Sequence, residues 1–426
     1  MVLSALFMVL LVQLSILCHE GAHALAAKLC GIPLRRARVG LGPVIARWQA
    51  NGLTCEYALI PLGGFVECEP ASFKAATFWS RQLIWLAGPF SHIVTAALFI
   101  TAATLIKVPY LPTVIEKLSP TPYSQAVIST PTQITHVDYE PVTSWPDFAK
   151  SMIIHLGKQV TISTEQGDYL FNLESWRLGR ESPLIMEELG ITPYVPPQTV
   201  WLFDQASGST DTVTHINGQP IRHGYDIQQA IKGQLGNNVR ITTTTSEKQV
   251  PVGYQFGQSW RIEPRLETTL KTSPIKPHYY PDSWHLGIVI KQLMHDLSFQ
   301  WHLIKGIALG HIDWQVLTGP LGFFAGLTRL AQDNALPQIC LGLASINLWF
   351  FFFNLLPCPP LDGGRAICEF FRIDDSLQGL FNHLGLIALI TTVVALSIHE
   401  IFFLLAQTVK AEQLIHQAQL FSPNLT

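Results

Sequence analysis

Four apolar stretches of at least 18 residues contain no aspartate, glutamate, lysine or arginine, and they constrain the fold more than any other feature of the sequence. They cover residues 1–18, 82–106, 334–361 and 376–399. About 20 helical residues cross a hydrocarbon core of about 30 Å, so each stretch is long enough once the first continues past Cys18. The expected fold is a polytopic α-helical membrane protein with four transmembrane helices.

The composition agrees with a membrane protein that also has a water-soluble part. Charged residues make up 13% of the chain and the net charge is −3, whereas soluble domains carry about 25% charged residues. This argues against a soluble cytosolic enzyme and excludes a disordered chain. A net negative charge offers no footprint for a phosphate backbone, so the expected partner is the lipid bilayer rather than nucleic acid.

Loop charge predicts the orientation of the spans. The segment before Lys28 contains no basic residue, whereas the connecting loop that follows is basic. The positive-inside rule places this loop in the cytoplasm, and both termini outside together with residues 108–333. A cleaved signal peptide needs a basic start, so the first stretch is interpreted as a span that stops near Gly31. No cysteine lies between residues 69 and 339, and neither a disulfide framework nor a thiolate zinc site is expected.

The first span carries the pattern H-E-x-x-H, formed by His19, Glu20 and His23. Residues i and i+4 of a helix lie on one face, so both imidazoles can bind one Zn²⁺. Glu20 is adjacent and can take a proton from water at the metal. The alternative is a polar helix end at the membrane interface. Ionisable groups at the end of an apolar span are costly, however, and favour the metal site.

A third protein ligand is needed, because catalytic zinc sites hold three protein ligands and water. The candidate is Asp362, within the segment NLLPCPPLDGG at residues 354–364. Three prolines break the helix before this carboxylate, and broken helices at membrane depth are tolerated where they line a cavity. Taken alone, Asp362 is more often an ordinary helix cap or an interfacial residue than a metal ligand.

HExxH in a first transmembrane helix, with NxxPxPxxDG after a later one, resembles the site-2 protease family of intramembrane zinc metalloproteases. The likeness extends over nearly the whole chain. Residues 60–67 (IPLGGFVE) resemble the family's membrane-associated β-hairpin. Residues 79–92 (WSRQLIWLAGPFSH) resemble its AGPxxN segment, with His92 in place of the asparagine, so no polar role is carried over to that position. Residues 318–320 and 345–348 resemble the approach to the third helix.

The resemblance implies a set of site residues and one cofactor. Zn²⁺ is expected to be bound by His19, His23 and Asp362, with Glu20 as the catalytic base. Asn354 is expected to hold the substrate or the transition state, although an asparagine at a helix end is as often a simple cap.

The resemblance also implies the substrate and the location. The expected substrates are single-span transmembrane proteins, such as an anti-sigma factor in an envelope stress response, or remnant signal peptides, in the bacterial inner membrane. A substrate helix must unwind before cleavage, because its amides are sealed by internal hydrogen bonds. Gly63 and Gly64 of the hairpin are expected to bind the unwound segment along an edge strand.

Two stretches between the second and third spans are interpreted as extracytoplasmic PDZ-like domains of β-rich α/β type, at 112–180 and 192–262. Each shows a turn, a helix-like segment and a strand, and Asn217-Gly218 is a strong turn signal. Their repetition indicates duplication, although any small α/β module gives the same pattern. The usual ligand loop is replaced by SQAVISTPTQI and QASGSTDTV, so exclusion of large substrates is expected rather than peptide capture.

Residues 283–308 have apolar side chains at helical spacing and predict an amphipathic interfacial helix. His285, His295 and His302 lie along it, and interfacial histidines are favoured over a second metal site. His399-Glu400 has no second histidine at i+4 and is interpreted as the outer end of the fourth helix.

The expected segments follow in chain order. They are the first helix with HExxH (1–30), a cytoplasmic-side loop with the hairpin (31–80), the second helix (81–107), the two PDZ-like domains (112–180 and 192–262), the interfacial helix (283–310), the third helix with NxxPxPxxDG (334–365) and the fourth helix (376–407). Two non-catalytic alternatives remain open: a membrane PDZ scaffold and a metal-ion transport protein. A transporter is expected to show polar groups along more than one span.

Overall fold

The structure is a computed structural model, and the part of the chain that it describes has several gaps. The described residues are 2–50, 52–106, 109–110, 112–179, 185–194, 200–204, 210–222, 226–227, 230, 238–251, 268–272, 278–279, 286–314, 322 and 336–421. Three features named in the sequence analysis lie wholly or mostly outside these residues. They are the helix-like segment of the second PDZ-like stretch (residues 226–235), the segment 318–320 and His285.

Nine helices are described within these ranges. They are α1 (Val2–Leu29), α2 (Pro70–Ala75), α3 (Phe78–Ile106), α4 (Trp145–Ile154), α5 (Ile185–Glu188), α6 (Leu286–Ala308), α7 (Leu336–Asn354), α8 (Asp362–Phe370) and α9 (Asp375–Phe421). Four of them contain segments long and apolar enough to cross a membrane: Val9–Leu29, Phe78–Ile106, Leu336–Asn354 and Asp375–Phe402. The prediction of a polytopic helical membrane protein is confirmed at this level.

Three of these helices pack directly against one another. Val12 of α1 contacts Ile339 and Leu343 of α7, while Ile100 of α3 contacts Leu348 of α7. Helix α1 ends where the sequence predicts, because Gly31 adopts a left-handed backbone with φ +69°. Helix α9 continues past His399-Glu400 to Phe421, whereas its apolar span ends close to these residues, at Phe402.

A long antiparallel hairpin follows α1. Its strands are β1 (Leu34–Ala50) and β2 (Leu53–Cys68), closed by the pair Ala50–Leu53. The start of β1 pairs with the end of β2, from Leu34–Cys68 to Val39–Gly64. Residues 36–39 also pair with 54–57, so residues 64–68 form an edge of this ribbon within the described pairs.

The remaining strands form two sheets with the same order, apart from a short pair of β3 (Pro109–Tyr110) with β16 (His278–Tyr279). The first sheet has the order β8-β7-β5-β4-β9, with β6 on β5, and its strands are β4 (Val114–Leu118), β5 (Thr132–Val137), β6 (Glu140–Pro141), β7 (Gln159–Thr164), β8 (Gly167–Asn172) and β9 (Ile191–Pro193). The second has the order β14-β13-β11-β10-β15, with β12 on β11, and its strands are β10 (Val200–Asp204), β11 (Thr210–Ile216), β12 (Gln219–Pro220), β13 (Asn238–Thr243), β14 (Glu247–Pro251) and β15 (Thr268–Thr272).

The two sheets also repeat one turn in atomic detail. Asp138 and Asn217 both have φ 50°. The Asp138 carboxylate accepts from the Thr161 N–H at 2.7 Å, and the Asn217 side-chain oxygen accepts from the Arg240 N–H at 2.9 Å. The described parts of the two units are therefore structural repeats.

The core of the first unit continues into helix α6. Trp176, Phe148 and Phe171 are fully buried at its centre, and Leu303 and Ile312 from α6 and its C-terminal extension belong to the same cluster. Helix α4 contacts α6 through an ion pair between Lys150 Nζ and Asp296 Oδ1 at 2.5 Å. The face of α6 that the sequence marks as apolar thus packs in part against this unit.

Candidate metal centre

The two histidines of the HExxH pattern lie on one face of α1, and both are buried. Their Nε2 atoms are 3.1 Å apart, and the rings meet edge to face. The Nδ1–H of His23 donates to the Ile84 carbonyl of α3 at 2.6 Å. This hydrogen bond fixes the tautomer and leaves the Nε2 lone pair of His23 directed at His19 and Asp362.

Asp362 joins the histidines from the far end of the chain. Its Oδ2 lies 3.1 Å from His19 Nε2 and 3.2 Å from His23 Nε2, and the residue is 9% exposed. Helix α8 begins at Asp362, but the cap position is Leu361, which makes no side-chain capping bond. The carboxylate is therefore turned toward the imidazoles and does not cap the helix.

The three candidate ligand atoms, which are His19 Nε2, His23 Nε2 and Asp362 Oδ2, have the spacing that a tetrahedral zinc ion requires. Bonds of about 2.0–2.1 Å in a tetrahedron place neighbouring ligand atoms about 3.4 Å apart. The three separations here are 3.1, 3.1 and 3.2 Å, so the atoms form one face of such a tetrahedron. With the His23 proton on Nδ1, His23 Nε2 and Asp362 Oδ2 are two acceptors 3.2 Å apart, an arrangement that a cation between them would stabilise. The fourth position is left for water or substrate.

Helix α3 leaves room for the imidazoles because it carries a glycine beside them. A Cβ added to Gly88 would overlap His23 Nε2 and lie 2.6 Å from His19 Cε1. Pro89 follows within the same helix. The AGP sequence therefore corresponds to the place where the α3 backbone approaches the two rings most closely.

Helix α7 ends at Asn354, and a loop rich in proline carries the chain to Asp362. Glycines allow close packing around this loop, because a Cβ on Gly363 would lie 2.5 Å from the Leu355 carbonyl and one on Gly364 would overlap Pro359. Gly385 of α9 packs against the loop from outside, where an added Cβ would overlap the Pro359 carbonyl.

The Gly385→Ala variant is expected to displace this loop and, with it, the Asp362 carboxylate. The added methyl group has no space against the Pro359 backbone, so metal affinity should fall and the unfolding midpoint should drop by several degrees. Gly379→Ala is the matched control in the same helix, since nothing lies within 4 Å of its added Cβ. Equal metal affinity of the two variants would show that α9 does not support the loop.

Glu20 lies at the boundary between α1 and the hairpin. Its side chain faces the edge segment of β2, because an added Cβ on Gly64 would lie 3.5 Å from its Cγ. A cavity of about 580 Å³ opens here, lined by Glu20, Gly64, Asn354 and Asp362 among others. The structure thus places the predicted base and the predicted substrate residues Gly64 and Asn354 around one cavity. The lining does not include Gly63.

Gln13 is a further residue that sequence reasoning did not single out. It is 5% exposed, and its Nε2 donates to the Gly63 carbonyl of the hairpin at 3.2 Å. Gln13 and Glu20 are seven residues apart on α1, two helical turns, and so share one face. Helix α1 therefore meets the edge segment of β2 twice, through the hydrogen bond of Gln13 and through the close approach of Glu20 to Gly64. The available signal was a glutamine in an otherwise apolar stretch.

His92 is a second buried polar residue that sequence reasoning did not single out, because the family resemblance carried no polar role over to this position. It is 2% exposed, and its ring stacks on that of His19 with centroids 4.9 Å apart. Glu400 is also buried, and its Oε1 accepts from the Gly322 N–H at 3.2 Å. The buried polar groups thus extend beyond the two motifs.

Comparisons with known proteins agree with this arrangement. Peptidase family M50 matches residues 7–396. A "Putative zinc metalloprotease" of Vibrio cholerae is 25% identical over 415 residues, covering 86% of this chain and 90% of the relative. The "Regulator of sigma-E protease RseP" of Escherichia coli is 23% identical over 398 residues, covering 82% and 86%. A "Regulator of sigma E protease" of Haemophilus influenzae is 26% identical over 384 residues, again covering 82% and 86%. This chain belongs to peptidase family M50 and is a metalloprotease with membrane-spanning helices.

Proposed function

We propose that this protein is an intramembrane zinc protease that cleaves peptide bonds within transmembrane segments of single-span membrane proteins. One observation carries the proposal. His19 and His23, on a helix long and apolar enough to cross a membrane, converge with Asp362 beside Glu20. The zinc metalloprotease names among the relatives support the choice of metal.

The side chains around this point have separate tasks in the proposed reaction. A bound Zn²⁺ supplies Lewis acidity, which polarises a carbonyl group and acidifies water. The Glu20 carboxylate accepts a proton from the attacking water and then donates it to the amine nitrogen that leaves. The contact of Glu20 with Gly64 places this carboxylate beside the edge segment of the hairpin, in the same cavity.

The edge segment of β2 is the proposed binding surface for the substrate backbone. Residues 64–68 pair with β1 on one side, and Gly64, Phe65 and Val66 line the cavity that contains Glu20. An extended peptide adds to such an edge through main-chain hydrogen bonds. This surface accepts only an unwound segment, since a helix has no free amides to offer. Asn354 is assigned to hold the same segment across the cavity, while Gly63 anchors the strand to Gln13.

The two β units are assigned as PDZ-like domains on the extracytoplasmic side. Their shared strand order and repeated turn support a duplicated PDZ-like fold. The contact of the first unit with α6 supports a role in excluding large soluble domains from the site. The basic loop at residues 28–81 supports a cytoplasmic position for the hairpin.

The substrate class is inferred from the relatives named as regulators of sigma-E protease. The proposed substrate is a single-span anti-sigma factor in the bacterial inner membrane, with remnant signal peptides as a second class. Both present one apolar helix that must unwind.

Metal analysis of the purified protein in detergent tests this proposal. We expect about one zinc per chain, and the His23→Ala variant should bind zinc more than about 100-fold more weakly, since a ligand contributes more than an outer-shell group. His302→Ala is the control, because its ring nitrogen bonds within α6, to the Ser298 carbonyl at 2.8 Å.

Co-expression with candidate single-span proteins provides the second measurement. The wild type should shorten a substrate within its transmembrane segment, and His23→Ala should leave it intact. Zinc binding without cleavage of any candidate would favour a metal-transport protein, and absence of both would favour a scaffold.

A further inference from the structure

The two metal-facing histidines are oriented in different ways. His23 donates through Nδ1 to the Ile84 carbonyl, whereas His19 Nδ1 is buried without a hydrogen-bond partner among the described residues. A metal-binding histidine normally donates its second ring N–H to a carboxylate, carbonyl or water, and this bond fixes the ring. Another contact must therefore set the orientation of His19.

That contact is the ring of His92 on α3. The His19 and His92 rings stack with centroids 4.9 Å apart and planes 30° apart. Phe350 of α7 packs against His92 at 5.4 Å. His92 therefore lies in contact with both aromatic rings, and it limits rotation of the His19 side chain.

His92 is itself held by a hydrogen-bonded chain that crosses three helices. Its Nδ1–H donates to Asn347 Oδ1 of α7 at 3.0 Å. Asn347 Nδ2 donates to Ser15 Oγ of α1 at 3.0 Å and to the Leu343 carbonyl at 2.8 Å. Asn347 and Ser15 are fully buried. The Asn347 amide is satisfied at both ends, so its orientation is fixed.

These contacts form a closed path through α1, α3 and α7 beside the proposed metal centre. Ser15 lies one helical turn before His19 on the same face of α1. The path leaves α1 at His19, crosses α3 and α7, and returns to α1 at Ser15. Three buried polar side chains among apolar helices are costly unless each is paired, and here each is.

We propose that His92 is a positioning residue for His19, and that Asn347 and Ser15 hold the His92 ring in place. This inference rests on the metal centre proposed above. Stacking takes the place of the hydrogen bond that His19 Nδ1 does not make with any described residue, so loss of the His92 ring should weaken metal binding without removing a ligand.

Zinc affinity, measured by chelator competition on the full-length protein in detergent, tests this role. His92→Leu should weaken zinc binding about 10–100-fold, the range for outer-shell changes at metal sites. His92→Phe keeps an aromatic ring and should lose less than about tenfold. Asn347→Leu should also weaken binding, because it releases His92. Thr101→Ala is the control, because the Thr101 hydroxyl donates only a local hydrogen bond within α3, to the Ala97 carbonyl at 2.8 Å.

The visible absorption of the Co²⁺-substituted protein provides a readout that general destabilisation would not move. We expect His92→Leu to shift the cobalt bands at a temperature where the helix content is unchanged. Wild-type zinc affinity and an unchanged cobalt spectrum in His92→Leu and Asn347→Leu would overturn the role of His92 and leave the metal centre standing. A wild-type protein that binds neither metal would overturn both. If His92→Leu does not fold, the Phe and Asn347 variants decide.

Discussion

The Glu20→Gln variant is expected to retain wild-type zinc content and to cleave a transmembrane substrate about 10²–10⁴-fold more slowly. This is the usual contribution of a positioned general base. Glutamine keeps the shape of the side chain, but it cannot take a proton from water. Single-turnover cleavage of a purified substrate in detergent, with zinc measured on the same sample, gives both quantities.

Glu165→Gln is the matched control, because Glu165 is exposed in the first β unit and should leave cleavage unchanged. Cleavage near the wild-type rate by Glu20→Gln would remove Glu20 from the reaction. Loss of zinc together with activity would instead make Glu20 part of the metal-binding set. The two outcomes are separated because zinc and cleavage are measured together.

Gly88→Ala is expected to abolish zinc binding although it changes no proposed ligand. The new methyl group would occupy the place of His23 Nε2 and crowd His19 Cε1. Neither ring can move aside freely, since His23 is bound to Ile84 and His19 stacks on His92. Zinc content after gel filtration measures the loss, and overpacking should also lower the unfolding midpoint.

Gly21→Ala is the control for this substitution. Gly21 lies between the two histidines in the sequence, yet nothing is within 4 Å of its added Cβ. Alanine there should keep zinc and even favour the helix by about 1 kcal/mol. A Gly88→Ala protein with full zinc content would mean that α3 lies farther from the imidazoles than described here.

The membrane-spanning helices were predictable because an apolar, charge-free stretch long enough to cross the hydrocarbon core of a bilayer has few alternative structures. The approach of Asp362 to the histidines could be predicted from the sequence for a related reason. A single carboxylate after a proline-broken apolar helix is costly at that depth, and a metal explains it. Gly64 and Asn354 were reached by resemblance alone, and their roles remain predictions.

The contacts of His92, Asn347 and Gln13 were beyond the sequence because each depends on how helices pack. His92 and Asn347 are separated by more than 250 residues in the chain, and no local pattern connects them. The replaced asparagine led us to assign His92 no role, while the structure gives it a stacking partner. Helix α9 continues to Phe421, so Glu400 does not mark the end of the helix, although it lies close to the end of the apolar span at Phe402.

Leu303 of α6 and Ile312, just after this helix, are both part of the buried core of the first β unit. Detaching that unit from α6 would expose both side chains to water, at about 1.5–3 kcal/mol each, and break the Lys150–Asp296 pair. We therefore expect the unit and the helix to move together. A displacement of the unit would then shift α6 at Val289, where this helix packs against α3 and α7.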